Sequence, residues 1–430
     1  FNGLKKINSR LNLKNIRKLK VSKKEFKECS NYLSDDEKFS LYEAIKNISF
    51  VCKSQLNSSS KSIEPINGLS IWDKYVPISS VGLYVPGGTA PLVSSFLMQV
   101  IPALTANCPD INVCTPPSKN GKIHPAILWL ANQLNVTNIY KIGGAQAILS
   151  LANGYLDLPK VDKIFGPGNS YVAEAKKYVS SKVAIDLYAG PSEVMVVTNS
   201  EKNTSIAAID ALSQLEHGSD SCAFVLSKSK KILNNVRKEI KVLSEKLSRE
   251  SLLNSAMDNI ILIKCKSDND IINMVNDCAP EHLVLLDEDF PKYINSINNA
   301  GSVFCGNMSP VAFGDYASGS NHVLPTSGWA KTNSGLSVND FMKKLTFQKS
   351  NNDAFNYLSD KVIKLSELEN LDAHGLSVKM RKTNSNITLR SSFLRRETKE
   401  TSIYASIDLD GQGLYEIDTC LLYTSDAADE

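Results

Sequence analysis

Short apolar runs alternate with longer amphipathic stretches through the middle of the chain. Each run has the length of a buried strand, and the stretches between them, such as HPAILWLANQL and NSYVAEAKKYVSSK, have helical periodicity. This alternation is typical of parallel sheets with helices on both faces. It predicts an α/β protein with two such units, one before and one after about residue 192. The runs are VGLYV, INVCT, NIYKI, DKIFG, EVMVVT, CAFVLS, NIILIKC, EHLVLL and GSVFC.

The two ends of the chain have a different pattern. Residues 1 to about 70 are predicted to form helices joined by polar connectors, and the chain beyond about 350 is predicted to be polar and helical until its character changes after about 390. The start lacks Met and carries nine Lys and Arg residues before the first acid, Glu25. We interpret it as a truncated start that leads into an amphipathic helix rather than as a transit peptide.

Composition narrows the class of protein. The chain has 430 residues, 42% hydrophobic and 22% charged, which excludes a collagen-like fibre, a coiled coil and a disordered polyampholyte. No apolar run approaches the ~18 residues that span a bilayer, and a net charge of +3 does not by itself argue for nucleic acid. We therefore expect neither a membrane nor a nucleic-acid partner. The nine cysteines lack a C-x-x-C pair, which favours reduced thiols and a cytoplasmic protein.

Four of the five histidines lie beside other polar groups in apolar or glycine-rich contexts, and only His124 looks like an ordinary loop residue. In the predicted helix SIAAIDALSQLEHG, Gln214 and His217 share a face near the end, and Gly218 is placed to terminate the helix. Two such side chains can form half of a metal site, although a polar helix end explains them equally well.

Two further segments carry acids next to bases. Glu281 and His282 are adjacent beside a strand-like run, and two such groups in one cleft suit paired proton transfers. Asp315 and His322 lie in GDYASGSNHVLPT, which is predicted to be a Gly- and Ser-rich loop, and such loops often carry function. The zinc-protease motif H-E-x-x-H is absent.

Three glycine-rich turns, at 85–92, 142–148 and 165–172, each follow a predicted strand and precede a predicted helix. Backbone N–H groups and a helix N-terminus in that geometry can receive a phosphate. FGPGNSYV lacks the last glycine of the G-x-G-x-x-G dinucleotide fingerprint, so the turns alone do not identify a ligand.

Several motifs follow one another in a fixed order: VGLYVPGGTAPL, GGAQAI, VDKIFGPGNSYV, DLYAGPSEV, LSQLEHGSDS, APEHL and GDYASGSNHVLPT. In this order they closely resemble the histidinol dehydrogenase family, over about residues 20 to 385. The resemblance implies a homodimer with one zinc ion per active site. It also implies the four-electron oxidation of L-histidinol to L-histidine with two NAD⁺, at the end of histidine biosynthesis.

The resemblance implies roles for individual residues. His282 is expected to remove the hydroxyl proton as hydride leaves for NAD⁺, and Glu281 to activate water for oxidation of the bound aldehyde. The expected zinc ligands are Gln214, His217, Asp315 and His374, the last reaching in from the partner subunit. The expected substrate contacts are Ser192, Gln214, His217, His282, Asp315, His322, Glu369 and His374, with Glu369 also contributed across the interface. The expected dinucleotide contacts are Tyr84, Gln146 and Asn169.

The family fold implies two Rossmann-like α/β domains with parallel sheets flanked by helices, and terminal helical extensions used in dimerisation. We expect residues 1–83 with 193–335 to form the first domain and 84–192 the second, which contacts the dinucleotide. Residues 336–388 are expected to be a helical dimerisation segment, and 389–430 a foreign or disordered tail.

The tail carries a second resemblance. Residues 395–419 resemble the first hairpin of imidazoleglycerol-phosphate dehydratase, with apolar alternation from Ile403 to Leu409 and a turn at 410–411. That family's metal-binding histidines are missing and a hairpin without its sheet is unstable, so we expect no dehydratase activity. The last eleven residues, CLLYTSDAADE, are interpreted as a translated sequencing adapter.

Three other functions stay open on the sequence. An aldehyde-dehydrogenase-like enzyme needs an activated cysteine, and none of the cysteines has an evident set of charged partners. A non-catalytic zinc-stabilised scaffold has no need of Glu281 and His282. A dehydrogenase for another amino alcohol or a sulfonate has no need of Glu369 and His374, which suit a substrate with an imidazole.

Overall fold

A computed structural model describes residues 18–56, 61–87, 92–187, 190–247, 255–382, 391–397 and 402–408. The chain divides into two compact units. Unit 1 comprises Phe1–Ser60 with Lys74–Leu345, and unit 2 comprises Lys61–Asp73 with Thr346–Glu430. The two units are described separately below. In the described ranges, no helix is long and apolar enough to cross a membrane.

Strands and helices are numbered in chain order over the described residues. The strands are β1 Ile63–Ile66, β2 Leu69–Pro77, β3 Ser80–Tyr84, β4 Asp110–Thr115, β5 Ile139–Lys141, β6 Lys163–Phe165, β7 Ala184–Ile185, β8 Glu193–Val197, β9 Cys222–Ser227, β10 Ile260–Lys264, β11 His282–Leu285, β12 Ser302–Cys305, β13 Met342–Ser350, β14 Ser391–Glu397 and β15 Ser402–Asp408. The helices are α1 Lys23–Glu28, α2 Asp35–Ser54, α3 Val93–Thr105, α4 Pro125–Gln133, α5 Ala145–Asn153, α6 Ser170–Val179, α7 Thr204–Leu215, α8 Lys230–Ser244, α9 Asp268–Cys278, α10 Pro291–Ile294, α11 Val311–Tyr316, α12 Asn352–Leu368 and α13 Asp372–Lys382.

The first sheet of unit 1 has the order β5-β4-β3-β6-β7, and all its strands are parallel. Strand β3 is central, β4 and β5 follow on one side, and β6 and β7 on the other. Strands β3 and β4 are buried along nearly their whole length, as in a parallel sheet covered on both faces. The direction of winding reverses between β3 and β6, so the loops after these strands separate and leave a crevice.

The second sheet of unit 1 has the order β10-β9-β8-β11-β12 and is also parallel throughout. Its central strand β8 takes the place that β3 has in the first sheet, so the two sheets repeat one topology. The nine predicted strands are all present in these sheets, and the predicted α/β class is confirmed. The repeat is not evident in the sequence, because the shared feature is the strand order and not the side chains.

Helix α3 packs into the core of the first sheet, and its residues 95–103 are all buried. Two of them are polar, and buried polar groups need hydrogen-bond partners. The Gln99 Nε2 group donates to the backbone oxygens of Tyr84 and Ser95, both at 3.0 Å. Helix α3 is thereby fixed to the carboxyl end of β3.

Unit 2 contains β1 and most of β2, an antiparallel pair, and a sheet in the order β1-β2-β13. Trp72 of β2 stacks on Phe347 of β13 with ring centroids 5.5 Å apart, and the Thr346 hydroxyl donates to Asp73 Oδ1 at 2.8 Å. The expectation that residues 1 to about 70 are helical is therefore wrong for 63–70. Strand β1 pairs with the adjacent β2 across the turn at Asn67 and Gly68, and β2 pairs in turn with the distant β13.

The tail contains a two-stranded antiparallel sheet in which β14 pairs with β15 from Ser391↔Asp408 to Glu397↔Ser402. The apolar alternation that begins at Ile403 does form a strand. Its partner is the preceding segment, which had no predicted strand, and the predicted turn at 410–411 lies outside the described residues. The expected domain bounds 1–83, 84–192, 193–335 and 336–388 stay predictions.

Candidate active site

The predicted catalytic pair lies at the amino end of β11, in the second sheet. Glu281 immediately precedes this strand and His282 is its first residue, so the pair is held by a buried strand and not by a loop. Their exposed fractions are 6% and 4%. The N–H of Glu193, the first residue of the neighbouring β8, donates to Glu281 Oε2 at 2.8 Å.

The backbone of Glu193 also selects the tautomer of the neutral His282 imidazole. Nδ1 of His282 lies 3.1 Å from the Glu193 backbone oxygen. A carbonyl oxygen only accepts hydrogen bonds, so Nδ1 carries the proton and Nε2 is left with a free lone pair. Glu281 Oε2 lies 3.5 Å from the same Nδ1. The imidazole is thus oriented with Nε2 as its basic atom.

Asp315 and His322 come close to this imidazole. Asp315 Oδ1 lies 3.8 Å from His282 Nε2. The Asp315 backbone oxygen accepts from His322 Nδ1 at 2.9 Å, and His322 Nε2 lies 3.1 Å from the Ser95 hydroxyl. Asp315 belongs to helix α11, so the prediction of a continuous loop is wrong at this residue. His322 lies in the irregular segment that follows.

The pKa values of the two imidazoles shift in opposite directions, although Asp315 acts to raise both. Burial acts to lower the pKa of His282, but the neighbouring carboxylates of Glu281 and Asp315 outweigh it and raise the pKa above its ordinary value. Burial lowers the pKa of His322, and the nearby imidazoles of His282 and His217 act in the same direction. His322 is therefore the neutral, hydrogen-bonding imidazole, and His282 is the one matched to accepting a proton.

Gln214 and His217 lie at the end of α7. The helix ends at Leu215, two residues earlier than the glycine signal predicts, so His217 stands just beyond it. The His217 N–H still donates to the Gln214 backbone oxygen at 3.3 Å. Gln214 is 2% exposed, and its Nε2 group has no hydrogen-bond partner in the described part of the chain.

The donor types suit a zinc ion. Gln214, His217 and Asp315 offer an amide oxygen, an imidazole nitrogen and a carboxylate, which are ligand types that zinc accepts. Among the described residues, no cluster of three or more His, Cys, Asp and Glu side chains could hold a metal. Of the expected zinc ligands, only His217 and Asp315 are His, Cys, Asp or Glu side chains that belong to unit 1. The unpartnered Nε2 group of Gln214 is a hydrogen-bond donor and not a zinc ligand, so the side chain would bind zinc through its amide oxygen.

Glu369 and His374 belong to unit 2. Glu369 caps the carboxyl end of α12, and His374 is the third residue of α13. Asn370 between them has φ of 56°, the left-handed conformation that ends a helix. Both side chains are exposed within their own unit.

The expected dinucleotide contacts lie at the carboxyl edge of the first sheet. Tyr84 ends β3, and its buried hydroxyl accepts from the Gly144 N–H at 3.0 Å; burial raises the pKa of this phenol. Gln146 lies in the first turn of α5. Asn169 caps α6, where its Oδ1 accepts from the Val172 N–H at 3.2 Å. Tyr84 and Asn169 thus follow the two strands between which the winding reverses.

Sequence reasoning missed two residues near the catalytic pair. Glu193 lies directly after Ser192 within the motif DLYAGPSEV, and its Oε1 accepts from the Ser327 N–H at 2.8 Å. The Ser192 backbone oxygen accepts from the Cys222 N–H at 3.0 Å. Ser95 contacts His322 from a buried helix, and nothing in its apolar surroundings in the sequence distinguishes it. Part of the turn at 85–92 lies outside the described residues.

Unit 1 combines a doubly wound parallel sheet, which has a crevice of the kind that binds nucleotides, with a buried carboxylate–imidazole pair. This is the arrangement of an α/β dehydrogenase. The family model of histidinol dehydrogenase matches residues 2–382. A histidinol dehydrogenase of Bacteroides thetaiotaomicron is 43% identical over 364 residues, 84% of this chain and 85% of the relative. The crystal structure of histidinol dehydrogenase from Elizabethkingia anophelis matches with a TM-score of 0.82 and 40% identity, over 85% of this chain and 84% of that one. The chain belongs to the histidinol dehydrogenase family, the oxidoreductases that act on histidinol in histidine biosynthesis.

A more distant likeness bears on the aldehyde-dehydrogenase alternative. A succinate-semialdehyde dehydrogenase from Burkholderia pseudomallei matches with a TM-score of 0.50 and 14% identity, over 73% of this chain and 77% of that one, which shows the fold alone. A catalytic cysteine needs a lowered pKa. Burial raises the pKa of every cysteine in the described ranges, so none is activated: Cys29, Cys52, Cys108, Cys114, Cys222, Cys265, Cys278 and Cys305.

Proposed function

We propose that the chain catalyses the zinc-dependent, NAD-linked oxidation of L-histidinol to L-histidine by four electrons, through histidinal that stays bound. The observation that carries the proposal is the orientation of His282, whose Nδ1 is fixed by the Glu193 carbonyl and whose Nε2 lies 3.8 Å from Asp315. A buried base with a free lone pair beside donors suited to zinc is what the first oxidation requires.

The residues divide into three groups of contacts. Zinc, held by Gln214, His217, Asp315 and His374 of the partner subunit, would fix the substrate's amine and imidazole. NAD⁺ would accept one hydride in each oxidation at the edge formed by Tyr84, Gln146 and Asn169. Ser192, His322 and Glu369 would complete the substrate contacts, with Glu369 also contributed by the partner subunit.

The first oxidation needs one proton removed from the substrate hydroxyl. His282 accepts it at Nε2, while its Nδ1–H stays on the Glu193 carbonyl, so the imidazolium that forms is already oriented. Glu281 and Asp315 stabilise this positive charge, in agreement with the raised pKa of His282.

The second oxidation needs a hydrated aldehyde. Glu281 takes a proton from water as the water oxygen attacks the aldehyde carbon. Its Oε2 is held by the Glu193 N–H at 2.8 Å, which keeps the carboxylate in place beside His282. Retention of the aldehyde between the two steps avoids release of a reactive intermediate.

The proposal is tested by counting the NADH formed per L-histidinol added, with and without a chelator and with zinc added back. Two NADH per histidinol, lost on chelation and restored by zinc, is the expected result. His282→Asn should lower kcat by roughly 10² to 10⁴, the usual contribution of a positioned base. Glu281→Gln should lower the yield towards one NADH.

Two results would contradict the proposal. Absence of NADH from folded, zinc-loaded protein would favour the scaffold or a different substrate. Turnover unchanged by His282→Asn would remove the imidazole from the mechanism.

We also propose that the residues after 388 lie outside the catalytic protein, that 395–419 derive from the start of an imidazoleglycerol-phosphate dehydratase, and that 420–430 are an adapter. The family match, which ends at residue 382, supports the first of these statements. A homodimer and a cytoplasmic location complete the proposal, and the location is supported by the free thiols of the eight described cysteines.

A further inference from the structure

A buried ion pair outside the acid–base cluster lies under the predicted dinucleotide turn. Lys176 of α6 pairs with Asp186, which follows β7, and the two side chains are 3% and 2% exposed. The Lys176 ammonium also donates to the backbone oxygens of Gly166 at 3.1 Å and Leu187 at 2.9 Å. Its three N–H groups therefore all have acceptors.

The pair holds both polar groups of Gly166. The Gly166 N–H donates to Asp186 Oδ2 at 2.7 Å, and its carbonyl accepts from Lys176. Gly166 has φ of +111°, and a Cβ there would lie 2.1 Å from the Tyr84 backbone oxygen and 2.7 Å from Gln99 Oε1. The turn after β6 is thus pressed against the end of β3, with no room for a side chain.

A buried charge pair is a costly way to stabilise a fold, because desolvation offsets most of the attraction. What the ion pair supplies is a defined orientation of the groups that are bonded to it. Here each charge is aimed at one side of a single glycine, and the loss of either charge would free that glycine. The turn continues from Gly166 to Asn169, the cap of α6, and the same helix carries Lys176 near its other end.

We propose that Lys176 and Asp186 are positioning residues for the dinucleotide: they hold the Gly166 backbone and, through it, set Asn169 against Tyr84. This inference rests on the proposed function, since it needs Asn169 and Tyr84 to contact the cofactor. Neither charged side chain touches the reacting atoms.

The test compares Asp186→Asn with the wild-type holoenzyme. An asparagine cannot accept from both Lys176 and the Gly166 N–H with the same strength. We expect the Kd of NADH, followed by fluorescence, and the KM of NAD⁺ to rise about tenfold, the change for one charge-assisted hydrogen bond. We expect kcat at saturation and the KM of histidinol to stay near wild type.

Two further variants keep the proposal falsifiable. Lys176→Met with Asp186→Asn removes both charges together, so no charge is left buried without a partner if the single variant fails to fold. This double variant should raise the Kd of NADH at least as much as Asp186→Asn does. Lys176→Arg keeps the positive charge at position 176 and should leave the Kd of NADH closer to the wild-type value than the double variant does.

The control is Asp268→Asn at the start of α9, where the partly exposed Asp268 accepts from Lys228, Lys292 and Tyr293. It should lower Tm and leave the Kd of NADH unchanged. If the variants at 176 and 186 lower only Tm in the same way, the pair is merely structural and the inference is overturned. If the wild type itself neither binds NADH nor oxidises histidinol, the proposed function fails and this inference fails with it.

Discussion

At the scale of single residues, the backbone of Glu193 contacts both residues of the proposed catalytic pair. Its N–H holds the Glu281 carboxylate and its carbonyl holds His282 Nδ1. Backbone groups cannot titrate or change tautomer, so they orient an acid and a base more firmly than two side chains could. Side-chain substitution at Glu193 leaves both contacts available, which makes the glutamate itself less critical than its place at the start of β8.

Asp210, on α7 one turn before Gln214, gives a pH prediction at this scale. It is 8% exposed, its Oδ2 has no partner among the described residues, and burial raises its pKa from 3.8 to about 6. The folded state therefore binds more protons than the unfolded state between these values. The free energy of unfolding falls as the pH rises from about 4 to about 6, and the loss persists above pH 6.

Asp210→Asn should therefore raise the free energy of unfolding at pH 7.5 by up to about 3 kcal/mol. Urea unfolding of the metal-free protein at pH 7.5 and pH 4.5 measures this, and the gain should shrink at pH 4.5. Asp258→Asn, at an exposed position, is the control and should change little. A gain of equal size at both pH values would show that the buried charge is not its cause.

At the scale of elements, β11 lies between β8 and β12, and its amino end carries the catalytic pair. The Glu281 backbone oxygen accepts from the Ser302 N–H at 2.9 Å. A Cβ on Gly301 would lie 2.5 Å from that same oxygen. The start of β12 therefore packs directly against the Glu281 backbone. A side chain added at Gly301 would displace Glu281 and His282 although Gly301 is not one of the pair.

Gly301→Ala should lower kcat on the order of a hundredfold, the usual cost of misplacing a catalytic group by about 1 Å. The control is Gly306→Ala at the other end of β12, where φ is +82° and the nearest atom is Phe290 Cε1 at 3.8 Å. Strain at Gly306 should lower Tm and spare kcat. Steady-state kinetics and thermal unfolding of both variants decide between the two effects, and equal kcat in both would contradict the prediction.

At the scale of the whole molecule, Glu369 and His374 are proposed to reach the site of a partner subunit. Glu369 and His374 are exposed in unit 2, as expected of side chains offered to another subunit. In the proposed two-fold dimer, each of the two sites would hold His282 from one chain and His374 from the other. This arrangement makes subunit exchange a direct test.

His282→Asn and His374→Ala should each be inactive alone and regain activity when their subunits are exchanged. A mixed dimer has one site with both defects and one intact site, so random exchange should restore about a quarter of wild-type activity. Each variant treated alone is the control. If mixed dimers form without activity, His374 serves its own subunit.

The tail gives a second prediction at this scale. A chain that ends at residue 388 should keep the turnover of the full chain, because the family match stops at 382 and an isolated two-stranded sheet adds little stability. A chain that ends at 370, and so lacks His374, should be inactive. Loss of activity in the 388 chain would give the tail a role in the enzyme.

The α/β class and nearly all the parallel strands could be predicted from local patterns of apolar residues. Buried strands of a parallel sheet must be apolar on both faces, so each strand is recognisable as a short apolar run in the sequence. Ordered motifs likewise placed the candidate chemistry, since Glu281, His282, Asp315 and His322 stand in contexts that a simple core does not need.

Features that depend on contacts between different segments became known only from the folded structure. Strand β13 pairs with β2 from far along the chain, and local sequence predicts such a pairing poorly. The contact of His282 with Glu193 and that of Ser95 with His322 each join residues far apart in the chain. The hydrogen bonds of Lys176 and Asp186 to Gly166 join residues 10 and 20 positions apart. Hydrogen bonds and burial act through space, and no spacing along the sequence encodes them.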